Sequence, residues 1–349
     1  MPSKTITAII LFLLMIPFII FQGCGDKKDK GDNGKGNTSG KANSDLLLKD
    51  ENGIKVNMLL KPKSGDVFKY KMNAKTTSKE KSPMTGDKEI TSTQDINYYY
   101  TEEVTEISSA GIVSYKITFD SITIVSNLAS ADSSVSLTYN SNIKDSIYSK
   151  PDFLQYNAIM NEEFFARVSQ NGEISDVYGL ENVYEKMFKA LGDTLSKDQK
   201  EQLKDSFGKD AIKAVLQQQF QMFPENPVYV DSVWTRSYET SMLIFPVKNS
   251  LSYKLTGVKE ENDQTLLTID ADLAVDFIEK EIKDKQMTYK VEDSKTGGKG
   301  VIIYNLTKGC VKSKETSTNL DLSMKISAGS QSVKTSQNVS TELYVNLLQ

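Results

Sequence analysis

Two cysteines and no histidine among 349 residues decide much of the chemistry open to this chain. Without imidazole, Ser-His-Asp and Cys-His catalysis in their usual forms are excluded. Zinc sites built on imidazole go with them, and two cysteines cannot replace those ligands. Cys24 closes an apolar run in Phe21-Gln22-Gly23-Cys24. A small residue directly before such a cysteine is what lipoprotein processing requires, so Cys24 is the expected site of lipid attachment. Each buried CH₂ of an acyl chain contributes about 0.8 kcal/mol, and two or three chains hold a protein durably on a bilayer. Cys310 then has no partner within the chain. Its ordinary reading is a small buried apolar residue; an intermolecular disulfide or a reactive thiol are the alternatives.

Other constellations are weaker. Ser78-Lys79-Glu80-Lys81, Ser141-Asn142-Ile143-Lys144 and Ser206-Phe207-Gly208-Lys209 fit S-x-x-K, and Lys295-Thr296-Gly297 completes an echo of Ser-Lys acylases. A chain rich in Ser and Lys produces such matches by chance, and a helical domain presenting the nucleophile is missing. Asp270-Ala271-Asp272 puts two carboxylates on one face of a strand, a pair suited to glycoside hydrolysis or cation binding; surface display is the ordinary explanation. Glu102-Glu103 and Glu162-Glu163 are weaker pairs, because adjacent strand residues face opposite sides. Tyr98, Tyr100, Tyr115, Phe119, Tyr139, Phe164, Tyr253 and Tyr304 lie in alternating segments. They either line an apolar cavity or, more commonly, fill a core and pair across strands. No cofactor or metal site is expected.

The elements that position these residues begin with a leader. Lys4 gives a positive start, and Ile6 to Phe21 is apolar, shorter than the roughly 20 residues of a spanning helix and interrupted by Pro17. Residues 1–23 are expected to be removed as a signal peptide. Losing Lys4, the one charged side chain in that stretch, takes the formal charge from −4 to −5. Residues 24–50 read as a flexible tether, rich in Gly, Lys and Asp and poor in apolar anchors. Asp29 fails as the start of a calcium loop, because its twelfth position is Gly40. Gly25 after the cysteine is compatible with sorting to an outer membrane.

Residues 51–175 then alternate with period two, as in Val67-Phe68-Lys69-Tyr70-Lys71-Met72, with Asn171-Gly172 as a hairpin turn. The period changes over 176–223. Val177, Leu180, Val183, Tyr184, Met187, Phe188 and Leu191 share a helical face, and Ser196-Lys197-Asp198-Gln199 reads as a capping box opening a second helix, which Pro224 and Pro227 end. Strand patterns return over 224–349, with 293–300 as a turn-rich loop. The two β regions share faint parallels, such as Gly65-Asp66-Val67-Phe68 with Asp231-Ser232-Val233-Trp234.

Lys63-Ser64-Gly65-Asp66, Ala166-Arg167-Val168-Ser169-Gln170-Asn171-Gly172-Glu173-Ile174, Val177-Tyr178-Gly179-Leu180-Glu181 and Phe223-Pro224 through Trp234 carry a resemblance. The chain resembles the uncharacterised bacterial lipoprotein family catalogued as domain of unknown function 6263. That resemblance implies an envelope protein and transfers no catalytic residue. Asp231-Ser232 departs from the Gly-Asp often found before the tryptophan in such proteins.

The sequence therefore predicts an α+β fold, mainly antiparallel β. It would have two curved, half-barrel-like sheets from a duplication and a central helical pair. The expected protein is lipid-anchored in the cell envelope through Cys24 and is not an enzyme. It would bind an apolar ligand or act as a structural partner at the outer membrane. Interspersed charge without a basic stripe excludes nucleic acid as a partner.

Overall fold

The computed structural model describes residues 46–348, apart from residues 84, 85, 87, 131, 144–152, 193, 194, 207, 208, 210, 211, 214, 215, 217, 218, 221, 222, 225, 285 and 286. Cys24, the leader and the tether through residue 45 lie outside the described residues, as do Lys144, Phe207, Gly208 and Val215.

A small sheet comes first: β1 (Leu47–Asp50) and β2 (Gly53–Val56), later joined by β9 (Val228–Tyr229). The tether was expected to run to residue 50, but Leu46 is buried in the core and Leu47 opens β1, because three consecutive leucines give the chain something to bury. The first β region then supplies β3 (Val67–Lys81), β4 (Glu89–Ile107), β5 (Val113–Ser130), β6 (Ser133–Asn140), β7 (Glu163–Val168) and β8 (Ile174–Tyr178). The second supplies β10 (Val233–Met242), β11 (Phe245–Glu261), β12 (Gln264–Phe277), β13 (Glu281–Asp284), β14 (Met287–Asn305), β15 (Cys310–Ala328) and β16 (Gln331–Leu347). Alternation sets the faces: in β3, Phe68, Tyr70, Met72 and Ala74 are buried, while Val67, Lys69 and Lys75 are exposed.

Mainly antiparallel β is what the chain forms. The two β regions are nevertheless halves of a single 13-stranded sheet, not two sheets. Its order runs β10-β11-β12-β14-β15-β16-β3-β4-β5-β7-β8, with β13 and β6 paired at the side. The join is β16 against β3, in register from Ser336 opposite Lys81 to Leu347 opposite Tyr70. One face of this sheet, here called inner, carries two hydrophobic cores, one per half. The sheet does not close on itself.

Local chemistry explains the turns. Asn262 and Asp263 both have φ near +55° (50° and 59°), and Glu261 pairs with Gln264 across them. That two-residue loop needs left-handed backbone at both positions, which Asn and Asp tolerate best after Gly. Three helices appear among the described residues: α1 (Leu154–Ile159), α2 (Glu181–Leu191) and α3 (Lys197–Ser206). The Ser196 capping box forms: Gln199 N–H donates to Ser196 Oγ (3.2 Å) and Ser196 N–H to Gln199 Oε1 (2.9 Å). The helical pattern from Val177 is corrected. Val177 ends up in β8, and Gly179 at φ 81° turns the chain before α2 can begin. Helix α1 had no reading in the sequence.

The expected loop at 293–300 is the middle of β14. Its glycines are there for close approach, not for turning. A Cβ on Gly298 would lie 2.6 Å from Thr318 Cγ2 and 2.9 Å from the Ser317 carbonyl oxygen. A Cβ on Gly300 would lie 2.6 Å from Thr316 Cγ2. The threonines of β15 lean over a strip of β14 that has no side chains. Gly298→Val should therefore overpack the inner face and cost about 1–3 kcal/mol in urea unfolding. An unchanged midpoint and slope would contradict this packing.

Candidate functional site

Strand β4 turns Tyr98, Tyr100, Glu102 and Val104 to the inner face. Glu102 is the exception in that apolar row, and it is 1% exposed. Its cross-strand neighbours are Phe68 and Ile117, both buried. Glu103, next along, points outward to Lys116 at 2.7 Å. Pairing the two glutamates was weak for this reason, and only Glu102 belongs to the interior.

Gln219 bridges the inner row. Its Nε2 donates to Glu102 Oε2 at 2.9 Å, and its Oε1 accepts from the Tyr100 hydroxyl. Glu102 Oε1 has no hydrogen-bond partner among the described residues. Beside it a cavity of about 10 Å³, the room of one water molecule, is lined by Tyr70, Glu102, Tyr115, Phe220, Phe223 and Cys310. Burial drives the Glu102 carboxyl up to about 8, against the opposing pull of the Gln219 hydrogen bond. Burial also pushes the Cys310 thiol up to about 12 and holds the Tyr70, Tyr100 and Tyr115 phenols well above their ordinary range. Near neutral pH these groups are uncharged. A neutral thiol and a protonated acid are poor nucleophiles and poor bases, although such an acid can donate a hydrogen bond. Cys310 takes the buried, ordinary reading.

A second buried ionisable group is Lys314, which sits on the inner face of β15 between Ile302 and Val345. Burial lowers its ammonium to about 8. It stands where the two cores meet: Ile302 belongs to one and Val345 to the other.

The remaining sequence candidates separate. Asp270 and Asp272 lie exposed on the outer face of β12. Ser78 faces inward and accepts from Gln337 Nε2 at 3.4 Å, whereas Lys81, three residues on, is exposed on the other side, so they cannot act together. Lys295 faces out and Thr296 in, within β14. A groove of about 420 Å³ runs over the outward rows of Lys79, Lys81, Asp293, Lys295, Asp321 and Asn338, mixing amines and carboxylates. The expected aromatic residues are all buried and pack on one another, with Tyr98–Phe119 centroids 5.7 Å apart, Tyr100–Phe119 5.6 Å and Phe119–Phe164 6.0 Å. Trp234 stacks on Tyr253 at 5.6 Å. Among the described residues, no three Cys, Asp or Glu side chains gather as a metal site. Gln219 and Lys314 escaped the sequence reading, and Glu102 entered it only as half of the weak Glu102-Glu103 pair. The signal was a charged residue at an inward position of an alternating strand, visible for Glu102 between Tyr100 and Val104.

The raised carboxyl has a consequence for stability. Below about pH 4.5 Glu102 is protonated in folded and unfolded chains alike. Between about 4.5 and 8 the unfolded chain releases the proton and the folded one keeps it, so stability falls as pH rises through that window. Each pH unit costs at most about 1.4 kcal/mol. Glu102→Gln should flatten the unfolding free energy between pH 5 and 8 and be the more stable protein at pH 8. Parallel curves for the two proteins in denaturant titrations would refute the assignment.

No curated protein matches the chain. A lipovitellin structure, described as showing lipid–protein interactions, is 9% identical over 83% of this chain and 26% of that one, with a TM-score of 0.44. The chain thus spans about a quarter of lipovitellin's length. An outer membrane channel from Pseudomonas putida F1 is 9% identical over 82% of this chain and 97% of that one, with a TM-score of 0.22. Pseudomonas aeruginosa OccK7 (OpdD) is 6% identical over 82% and 100%, with a TM-score of 0.24. The profile of the Family of unknown function (DUF6263) matches residues 110–311, more than half the chain, and the chain belongs to that family.

Proposed function

We propose that this chain is an envelope lipoprotein, anchored through Cys24, whose β-body binds an apolar ligand on its inner face without catalysis. The observation that carries this reading is the uneven cover of that face. At one end Tyr98, Ile122 and Tyr139 are sealed in a core with Phe153, Val183 and Met187 of the helical region. Toward the other end the inward row of β6 emerges into solvent while staying apolar, beside rows that turn polar at Ser126 of β5 and Gln94 of β4. In β6, Tyr139 is buried, Leu137 is half-buried and Val135 is 65% exposed. Leu128, directly opposite Val135, is 38% exposed. An apolar surface continuous with a core and open at one end suits a chain-like ligand. The neutral interior groups support binding over acid–base or nucleophilic chemistry.

The test uses Cys24→Ser protein purified without detergent, so that covalent lipid cannot contribute. Organic extraction and mass spectrometry should return a chain-bearing lipid, and the protein should retain a fluorescent fatty acid. An empty extract together with no retention would sink the binding reading. Labelled palmitate should enter the wild-type protein and not the Cys24→Ser protein; failure to enter would remove the anchor alone.

A second reading, as an assembly partner, has its own support in β10. This edge strand of ten residues pairs with β11 without a bulge and has no partner on its far side among the described residues. Long regular edges invite another strand. A photocrosslinker at Thr235 should then capture one defined envelope protein in cells, and diffuse or absent products would count against it.

A further inference from the structure

Among the described residues, three hairpins of the second half turn through two-residue loops: Leu243-Ile244 between β10 and β11, Asn262-Asp263 between β11 and β12, and Gly329-Ser330 between β15 and β16. The first residue of each has a positive φ, at 58°, 50° and 59° in that order. Such a position favours Gly, and Asn or Asp after it. Two of the turns follow that rule. The third places leucine there and isoleucine next to it, the side chains least suited to a wet, left-handed turn.

The apolar character spreads beyond the turn. Ile244 is 46% exposed, and Leu243 packs half-buried on the second core. The Ile278 N–H donates to the Pro246 carbonyl at 2.9 Å, which sets a second isoleucine, 49% exposed, beside the turn. Phe277 meets Phe245 edge-on at 5.8 Å and ties this corner to the core. Polar residues would make the same turn, as they do at Asn262-Asp263, so folding alone gives no reason for this patch. The charges that follow it are mixed: Glu279, Lys280, Glu281 and Lys283. An anionic surface finds no field to draw it there.

Position gives the patch its partner. Neighbouring strands are antiparallel, so the Leu243-Ile244 turn lies at the same end of the sheet as the β5–β6 turn, where Leu128 and Val135 open the inner face. Leu46, where the described chain begins, belongs with the small sheet at the opposite end, since β9 leads into the start of β10. The ten residues of β10 span about 33 Å. Cys24 lies 22 residues before Leu46, a stretch that reaches at most about 75 Å. A body held at Cys24 can therefore lay this far end on the bilayer that holds the anchor.

We propose that this end of the sheet docks on a lipid bilayer, with Leu243, Ile244 and Ile278 entering its interfacial layer. This rests on the Cys24 anchor and deepens the apolar-ligand reading, because it turns the open end of the inner face toward the membrane from which a lipid would come. A few side chains hold weakly by themselves. The anchor keeps them at high local concentration, so they need only orient the body.

The experiment uses the lipidated full chain with Trp234→Phe and Ile244→Trp, which leaves one tryptophan, at the turn. The protein is carried on phosphatidylcholine vesicles with and without bromine on the acyl chains. Ile244 is exposed and Trp234 is replaced by another aromatic, so the fold should persist, which thermal unfolding checks. The reporter emission should shift to the blue on vesicles, lose intensity to bromolipid, and do both equally at high salt. Adding Ile278→Ser should weaken both changes. Emission as in water, with no loss to bromolipid while the protein floats with the vesicles, would overturn the docking and leave the anchor standing. A blue shift without loss to bromolipid means that protein covers the turn, and it overturns the docking as well. Insertion that needs anionic lipid or vanishes in salt would replace the apolar contact with a charged one. If palmitate does not enter at Cys24, the anchor fails; the reporter on the unlipidated chain with added vesicles then decides the docking, upheld by loss to bromolipid and ended by its absence.

Discussion

The pairing of β16 with β3 is the contact on which the rest of this fold depends. It joins the last strand of the chain to the first long one, across more than 250 residues of sequence, from Ser336 opposite Lys81 to Leu347 opposite Tyr70. Without it the chain has two sheets, each with an extra bare edge. With it, two cores sit side by side on one continuous face, and Lys314 lies where they meet. Ladder hydrogen bonds contribute little net free energy each, because water would satisfy the same groups in the unfolded chain. The seam matters instead for what it brings together: Leu343 and Val345 on β16 bury themselves in the first core while Val339, on the same strand, belongs to the second. A pairing so distant in sequence forms late and slowly, after loop closure has been overcome.

Charge is kept almost wholly off the inner face. The ion pairs sit outside; Lys116 with Glu103 and Lys254 with Asp231 are both partly open to water. Exposed pairs of this kind contribute little, because water and salt screen them and long side chains lose freedom in forming them. The stability of the body therefore rests on apolar burial and aromatic packing, and the outer charges serve solubility. Against that background the inner polar groups stand out. Each costs free energy where it is: Glu102 by holding a proton it would release in water, Lys314 by desolvation, the hydroxyls of Tyr238, Thr296 and Thr318 by lacking partners among the described residues. The Gln219 bridge from Tyr100 to Glu102 offsets part of the first of these.

Much of the fold was legible because alternation is a local property. Strand β3 could be read by alternation from Val67 to Met72, and the Ser196 capping box and Asn171-Gly172 turn announced themselves through fixed short-range chemistry. What was not legible was non-local or ambiguous. Nothing in the pattern of β16 says that it pairs with β3 and not with a strand of its own region. Residues 293–300 look like a loop because Gly, Ser and Lys are turn formers; their true role depends on Thr316 and Thr318, which only the β14–β15 register brings overhead. Val177 fits a helical face and a strand equally well, and Gly179 decides between them by its backbone. For the site, Glu102 was dismissed as half of a pair, although its inward parity between Tyr100 and Val104 was already in the sequence. The parity of Thr296 could not be known while residues 293–300 were read as a loop.

The same physics links the open end of the inner face to its orphaned polar groups. A sheet of 13 strands that does not close must cover its apolar side with something. The helices cover part of it, and Leu128 and Val135 mark where that cover stops. A fold evolved for stability alone would make such an uncovered end polar and its deep interior wholly apolar. Here part of that order is reversed: Leu128 and Val135 face solvent at the rim beside Ser126, while hydroxyls and a carboxyl lie inside without full sets of partners among the described residues. Each half of that reversal is unfavourable for the isolated chain, by desolvation inside and by wetted hydrocarbon outside.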